Sequence, residues 1–208
     1  WAVNMPVLEP IPTSALFTTL EGKKRNGLSA EYFDNIELQG EPVFTRLDEA
    51  IDFEWWEGSP DPRLDDDQFS VRWTGELRAP STGEYYLGGF GMNRYRIFLD
   101  DRLLLEYDHE HHPLKINDKV HLQAGQSYRL KVEYMEYAGY SRMQLLWQPP
   151  QPDVMKQAER LAADADAVVL CLGLSPRLEG EEMKVPVEGF HGGDRLTLDL
   201  PKTQQTLM

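Results

Sequence analysis

From residue 27 to residue 147 the chain alternates apolar and polar side chains in run after run, and this period of two constrains the fold more than any other feature. In FSVRWTGEL, Phe69, Val71 and Trp73 take one face while Ser70, Arg72 and Thr74 take the other, as in an antiparallel strand with one wet side. GEYYLGGF, RYRIFLDD, RLLLEY, KVHLQAG, SYRLKVEYM and SRMQLLWQ repeat the theme, with turn chemistry between them in PSTG, LDDR and LQAG. Many short strands with turns at close intervals predict a β-sandwich over residues 27–150 and not alternating strands and helices. Hydrophobic residues at 41% and aromatics at 11% supply the core that such a sandwich needs.

The flanks read differently. Residues 1–26 pass from a short apolar stretch (Val3, Met5, Val7, Leu8) through Pro6, Pro10 and Pro12 into EGKKRN, and are predicted to be a connector. After QPPQP the period becomes helical, with Val154, Ala158, Leu161, Ala162 and Ala165 on one side of the wheel. AVVLCLGL, residues 167–174, is apolar on both faces, the pattern of a parallel strand covered by helices on each side, and would bury Cys171 as an inert thiol. DLPKTQQTLM then opens a second helix, with Pro201 near its start. One strand cannot make a sheet, so residues 151–208 are expected to be the truncated start of an α/β domain. The fold class is mainly β: an antiparallel β-sandwich followed by a partial α/β sandwich segment.

The net charge of -14 works against binding to phosphate backbones or anionic lipid. No apolar segment is long enough to span a bilayer, and the first residues lack the charged-then-apolar order of a secretory leader. Neither nucleic acid nor membrane is expected as a partner. Glu179, Glu181 and Glu182 crowd the loop that leaves the 167–174 run, where open α/β sheets bind ligands. Carboxylates held together raise one another's pKa, which suits a general acid; a solvated acidic loop is the plain alternative. Trp55, Trp56, Tyr95, Tyr137 and Tyr140 offer rings to the apolar C–H face of a pyranose. Tyr137 and Tyr140 flank Gly139 in a loop, whereas rings on alternating strand positions more often belong to the core. DHEHHP sets His109, His111 and His112 beside Asp108 and Glu110, but the spacing fits no defined metal site, and a mobile polar loop is expected there. Asp100 and Asp101 in LDDR read as a hairpin turn, not as ligands.

GLSAEYFDN…FSVRWTGELRAPSTGEYYLGGFGMNRYRIFLDDRLLLEY…YRLKVEYMEYAGYSRMQLLWQPP resembles the protective-antigen type sandwich module, which recurs in bacterial toxins, yeast adhesins and as an insertion in some glycosidases. In the sugar-binding adhesins of that type an Asp-Asp pair just before the RIFL strand binds calcium; Met92 and Asn93 stand at those positions here. GLSPRLEGEEM…GFHGGDR…LDLPKTQQTLM resembles the carboxyl-side α/β-sandwich domain of glycoside hydrolase family 3, in which a Glu-x-Glu-Gly loop, then Asp-Arg, then Leu-Pro follow a strand.

That second resemblance implies a retaining exo-acting β-glycosidase acting on terminal β-linked glucose or xylose. Glu181 would be its acid/base, with Glu179 and Glu182 as alternatives because Glu182 replaces the family's Gly, and Asp194 and Arg195 would support the site. The nucleophile would lie on an upstream barrel, so the chain alone is expected to be inactive. Its partners would be an oligosaccharide or aryl β-glycoside substrate and the barrel domain of the same protein, with no cofactor and no metal. Tyr137, Tyr140 and Trp56 are the candidate substrate contacts of a sandwich that shapes the outer subsite. A non-catalytic, adhesin-like carbohydrate-binding module is the alternative. The compartment stays open, the resemblance leaning toward a bacterial periplasmic or secreted setting.

Overall fold

The computed structural model describes residues 7–151, 154–174, 189–191 and 194–208. The chain divides into two compact units, Val7–Pro150 and a second one that holds Gln151–Met208. In the first unit five long strands form the frame: β7 (Ser70–Arg78), β8 (Gly83–Leu99), β9 (Arg102–Leu122), β10 (Ser127–Met135) and β11 (Ser141–Gln148). Six shorter strands precede them: β1 (Glu9–Pro10), β2 (Leu16–Leu20), β3 (Lys23–Asn26), β4 (Leu28–Phe33), β5 (Phe44–Asp48) and β6 (Asp52–Trp56). All eleven join one antiparallel sheet with the main order β1-β11-β8-β10-β7-β2-β3, while β4 joins β7, β5 joins β4, β6 joins β11 and β9 runs along β8. The sheet curls into a sandwich-like body around one aromatic core, in which Trp73, Tyr32, Tyr85, Tyr95, Tyr134 and Phe69 are fully buried. Period two puts them there: Phe69, Val71 and Trp73 point inward while Arg72 pairs outside with Glu31 and Glu133.

The hairpin of β8 and β9 corrects two expectations. GEYYLGGF and RYRIFL lie in one strand, and DHEHHP, expected as a loop, lies within β9, where His109 stands opposite Asn93. Register shifts between Gly91 and Asn93 and between Ile97 and Phe98 absorb the break in alternation, as bulges do. Asp100 and Asp101 both have positive φ, the geometry of a tight hairpin turn. Inside the hairpin, a Cβ at Gly88 would lie 2.2 Å from the Ile116 carbonyl oxygen, so β9 approaches β8 more closely than any side chain allows. Gly88→Ala is accordingly expected to cost about 1–3 kcal/mol in urea unfolding. A loss below about 0.5 kcal/mol would mean that β9 yields without strain.

Residues 7–26, expected as a connector, belong to the sandwich. β1 pairs with β11 through Glu9 and Trp147, β2 pairs with β7 through Leu16 and Leu77, and Ile11, Ala15 and Leu16 are buried. The prolines hide the alternation, yet the apolar residues between them are what the open edges of β7 and β11 bury.

The second unit contains α1 (Val154–Ala163), the strand pair β12 (Phe190–His191) and β13 (Asp194–Arg195), and α2 (Lys202–Leu207), with Pro201 at the cap position of α2. The buried strand expected at 167–174 is absent: residues 167–172 belong to no strand or helix, Val169 is 86% exposed, and Cys171 is exposed instead of buried. A strand apolar on both faces needs neighbours on both sides, and the described residues supply none. Leu161, on the apolar stripe of α1, is exposed for the same reason.

Candidate functional site

Along β6 and β11, Asp52 stands opposite Gln144 and Glu54 opposite Arg142; after a bulge, Trp56 stands opposite Ser141. Alternation turns Phe53 and Trp55 inward, where Trp55 stacks on Phe53 with ring centroids 5.1 Å apart and also meets Phe69 and Tyr134. It turns Trp56 outward, and 66% of that residue is exposed. Trp56 has φ of 57°, a left-handed conformation unusual for a bulky residue. The buried Ser141 hydroxyl fixes it, lying 3.2 Å from the Trp56 carbonyl and 3.3 Å from that of Gly58.

Tyr140 completes a corner. Its ring meets Trp56 edge to face, with centroids 5.1 Å apart and planes at 78°. Its hydroxyl donates to the Glu54 carboxylate, and partial burial together with that carboxylate raises its pKa above the ordinary tyrosine range. Arg142 lies 3.6 Å from Glu54 and stacks over Phe90 at 4.6 Å. An exposed indole, a phenol, a carboxylate and a guanidinium thus converge. An exposed indole has the chemistry to meet the apolar face of a sugar ring, and Glu54 and Arg142 the chemistry to meet its hydroxyls.

Of the three expected substrate contacts, the structure brings together Trp56 and Tyr140. Tyr137 belongs to another group: it packs against the cluster of Phe33, Leu38 and Met135, and its hydroxyl is 3.5 Å from Asp108. Tyr95 is a core residue whose hydroxyl donates to the Gly89 and Leu114 carbonyls at 3.1 and 3.2 Å. Glu54, Arg142 and Ser141 went unnoticed in the sequence, although period two in DFEWW and SRMQ puts Glu54 and Arg142 on one face with Trp56.

Beneath the loop that carries Tyr140 lies a carboxyl with no exposed surface, Glu136. It accepts the Gln68 N–H at 2.8 Å and lies 3.4 Å from the Asn93 amide nitrogen. Burial, opposed by the Gln68 N–H and assisted by the nearby charge of Asp67, pushes its pKa up to about 7. The positions of the adhesin calcium pair do not fit calcium. Met92 offers a thioether where a hard cation needs oxygen, and the fully buried Asn93 turns its amide to Glu136. Among the described residues no group of three or more His, Cys, Asp or Glu could hold a metal, and the side chains of 109–113 lie outside those residues.

Glu179, Glu181 and Glu182 also lie outside the described residues. Asp194 and Arg195 stand in β13, where the Arg195 guanidinium donates to the Leu198 and Asp199 carbonyls at 2.6 and 3.0 Å. Gln204 exchanges two hydrogen bonds with the backbone of Gly173, at 2.8 and 2.6 Å.

Residues 24–158 match the model of the PA14 domain. The chain belongs to the PA14 domain family. Its PA14 domain is similar to part of the anti-sigma-I factor RsgI3 of Acetivibrio thermocellus, 34% identical over 151 residues, 71% of this chain and 23% of that protein. A xylan 1,4-beta-xylosidase of Xylanibacter ruminicola is 25% identical over 194 residues, 91% of this chain and 22% of that protein. Among solved structures, the beta-glucosidase of Kluyveromyces marxianus in complex with glucose matches with a TM-score of 0.53 and 25% identity, covering 88% of this chain and 22% of that one. The chain spans less than a quarter of the length of either curated relative.

Proposed function

We propose that the PA14 domain is a carbohydrate-contacting module of a retaining exo-acting β-glycosidase of glycoside hydrolase family 3, hydrolysing terminal β-linked xylose or glucose. In this reading the Trp56–Tyr140 corner holds the sugars beyond the scissile bond, and Glu181 is the acid/base. One observation carries it. The xylosidase and beta-glucosidase matches take in 91% and 88% of the chain, more than the PA14 match over 24–158, so the likeness extends past the sandwich. The exposed indole beside Glu54 and Arg142 adds the chemistry of a sugar contact.

The test is a titration of the chain with xylotetraose and cellotetraose, followed by tryptophan fluorescence and calorimetry. Trp56→Ala is expected to weaken binding at least about tenfold, the factor that about 1.4 kcal/mol of ring stacking represents. EDTA is expected to leave the affinity unchanged, because Met92 and Asn93 do not make the adhesin calcium site. An unchanged affinity in Trp56→Ala would remove the corner from the site.

The 34% identity to an anti-sigma factor supports a second reading, a carbohydrate-binding module without catalysis. It would prevail if the whole protein bound the tetrasaccharides but released nothing from aryl β-xylosides or β-glucosides.

A further inference from the structure

We infer that Glu136 is the positioning residue of the Trp56–Tyr140 corner, a buried carboxyl that latches together the two loops on which the corner depends. Three hydrogen bonds clasp these loops. The Gln68 N–H donates to Glu136 Oε2 at 2.8 Å, the Glu136 N–H to the Phe69 carbonyl at 2.9 Å, and the Gly139 N–H to Asp67 Oδ1 at 2.7 Å. Tyr140 follows Gly139 directly, and Ser141 after it anchors the Trp56 backbone. Gln68 and Asn93, which bond the Glu136 carboxyl, both hold left-handed φ, 63° and 62°. Such conformations persist in non-glycine residues only where the surroundings over-determine them.

The charge state matters because no described cation neutralises this carboxyl. The groups facing Glu136 are Asp67 and the Gln68 N–H from the 65–68 loop, the Asn93 amide from β8 and the Tyr134 hydroxyl from β10, which ends one residue before it. No Lys, Arg or His pairs with it among the described residues. Asn93 Oδ1 is buried without a hydrogen-bond partner, whereas the Tyr134 hydroxyl meets the Asn93 side chain and the Arg142 backbone N–H. A protonated Glu136 removes this defect: with the Asn93 amide turned over, the acid O–H donates to Oδ1. The folded pKa lies above the ordinary carboxyl value of 4.5, so the stabilisation from the neutral form is complete below about 4.5 and is lost as pH rises through about 7. The latch therefore loosens on the alkaline side of neutrality, and the corner loosens with it.

The consequence for sugar binding rests on the function proposed above; the latch itself does not. The experiment follows the Trp56 indole N–H resonance, assigned with Trp56→Phe, in the full chain without sugar, and then the affinity for xylotetraose. In the wild type the resonance is expected to titrate near pH 7 and the affinity to fall at least about threefold from about pH 6 to about pH 8. Glu136→Gln, a neutral isostere that keeps a donor and an acceptor, is expected to hold the low-pH resonance at every pH and to flatten the affinity profile. Glu136→Ala is expected to broaden or shift the resonance at every pH. If the Ala variant does not fold, the Gln variant alone decides. A titration that survives in Glu136→Gln, or a Trp56 signal indifferent to pH and to both substitutions, would overturn the latch. A titrating resonance abolished by Glu136→Gln, without any xylotetraose binding, would uphold the latch and remove the sugar reading instead.

Discussion

Replacing Asp48 with Ala is expected to destabilise the sandwich by about 3–5 kcal/mol, a large share of what a domain of ordinary stability possesses. Asp48 is 5% exposed and collects three donors: the Tyr32 hydroxyl at 2.6 Å and the Trp73 indole at 2.7 Å on one oxygen, and Arg46 Nε at 2.6 Å on the other. Arg46 also donates to the Tyr32 hydroxyl at 2.6 Å and stacks over the Tyr32 ring at 4.5 Å. Burial, then the Asp48 carboxylate, raises the pKa of Tyr32 well above its ordinary value, so the hydroxyl stays a donor. The Ala variant leaves the indole N–H and part of the guanidinium unpaired inside an aromatic core, and an unpaired buried donor costs more than the bond it lost was worth. Arg46 is partly exposed and can turn to water, which places the loss nearer the lower bound. Asp48→Asn keeps one acceptor oxygen but turns an amide against the remaining donors, so an intermediate loss is expected. Urea unfolding followed by near-ultraviolet circular dichroism measures both. A loss below about 1 kcal/mol in the Ala variant would show that this cluster contributes little beyond its packing.

The polar cluster around Asp48 also shows where sequence patterning stops. Period two suffices to send Trp73, Val71 and Phe69 inward and to predict the sandwich, because burial of one strand face is a local property of the string. It does not reveal that an aspartate at the end of β5 will meet an indole from β7, since that contact depends on how β4 and β5 register against β7. Glu136 was hidden for a related reason. A glutamate between Met135 and Tyr137 reads as surface, and only the approach of the 65–69 loop provides the N–H that keeps it inside. Trp56 was accessible from alternation, whereas its meeting with Tyr140 depends on a bulge between Ser141 and Arg142. The opposite failure occurs at 167–174, where the pattern reports two covering layers that the described residues do not contain.

In the whole protein, under the glycosidase reading proposed here, Glu181→Ala is expected to remove proton donation to the leaving group, a contribution of about 10² to 10⁴ in rate. The loss depends on what departs. A sugar hydroxyl is a poor leaving group and needs the proton, so hydrolysis of xylobiose or cellobiose falls by the full factor. A nitrophenolate leaves without help, so glycosylation by a nitrophenyl glycoside falls far less, and the glycosyl-enzyme then accumulates because its hydrolysis lacks a general base. Azide attacks that intermediate without a base and restores turnover on the nitrophenyl substrate while leaving the disaccharide rate low. Equal losses on both substrates, with azide inert, would remove Glu181 from the role. Repeating the pair of assays on Glu179→Ala and Glu182→Ala then separates a neighbouring acid/base from an acidic loop with no part in the chemistry: the first gives the split with azide rescue in one of the two variants, the second in neither.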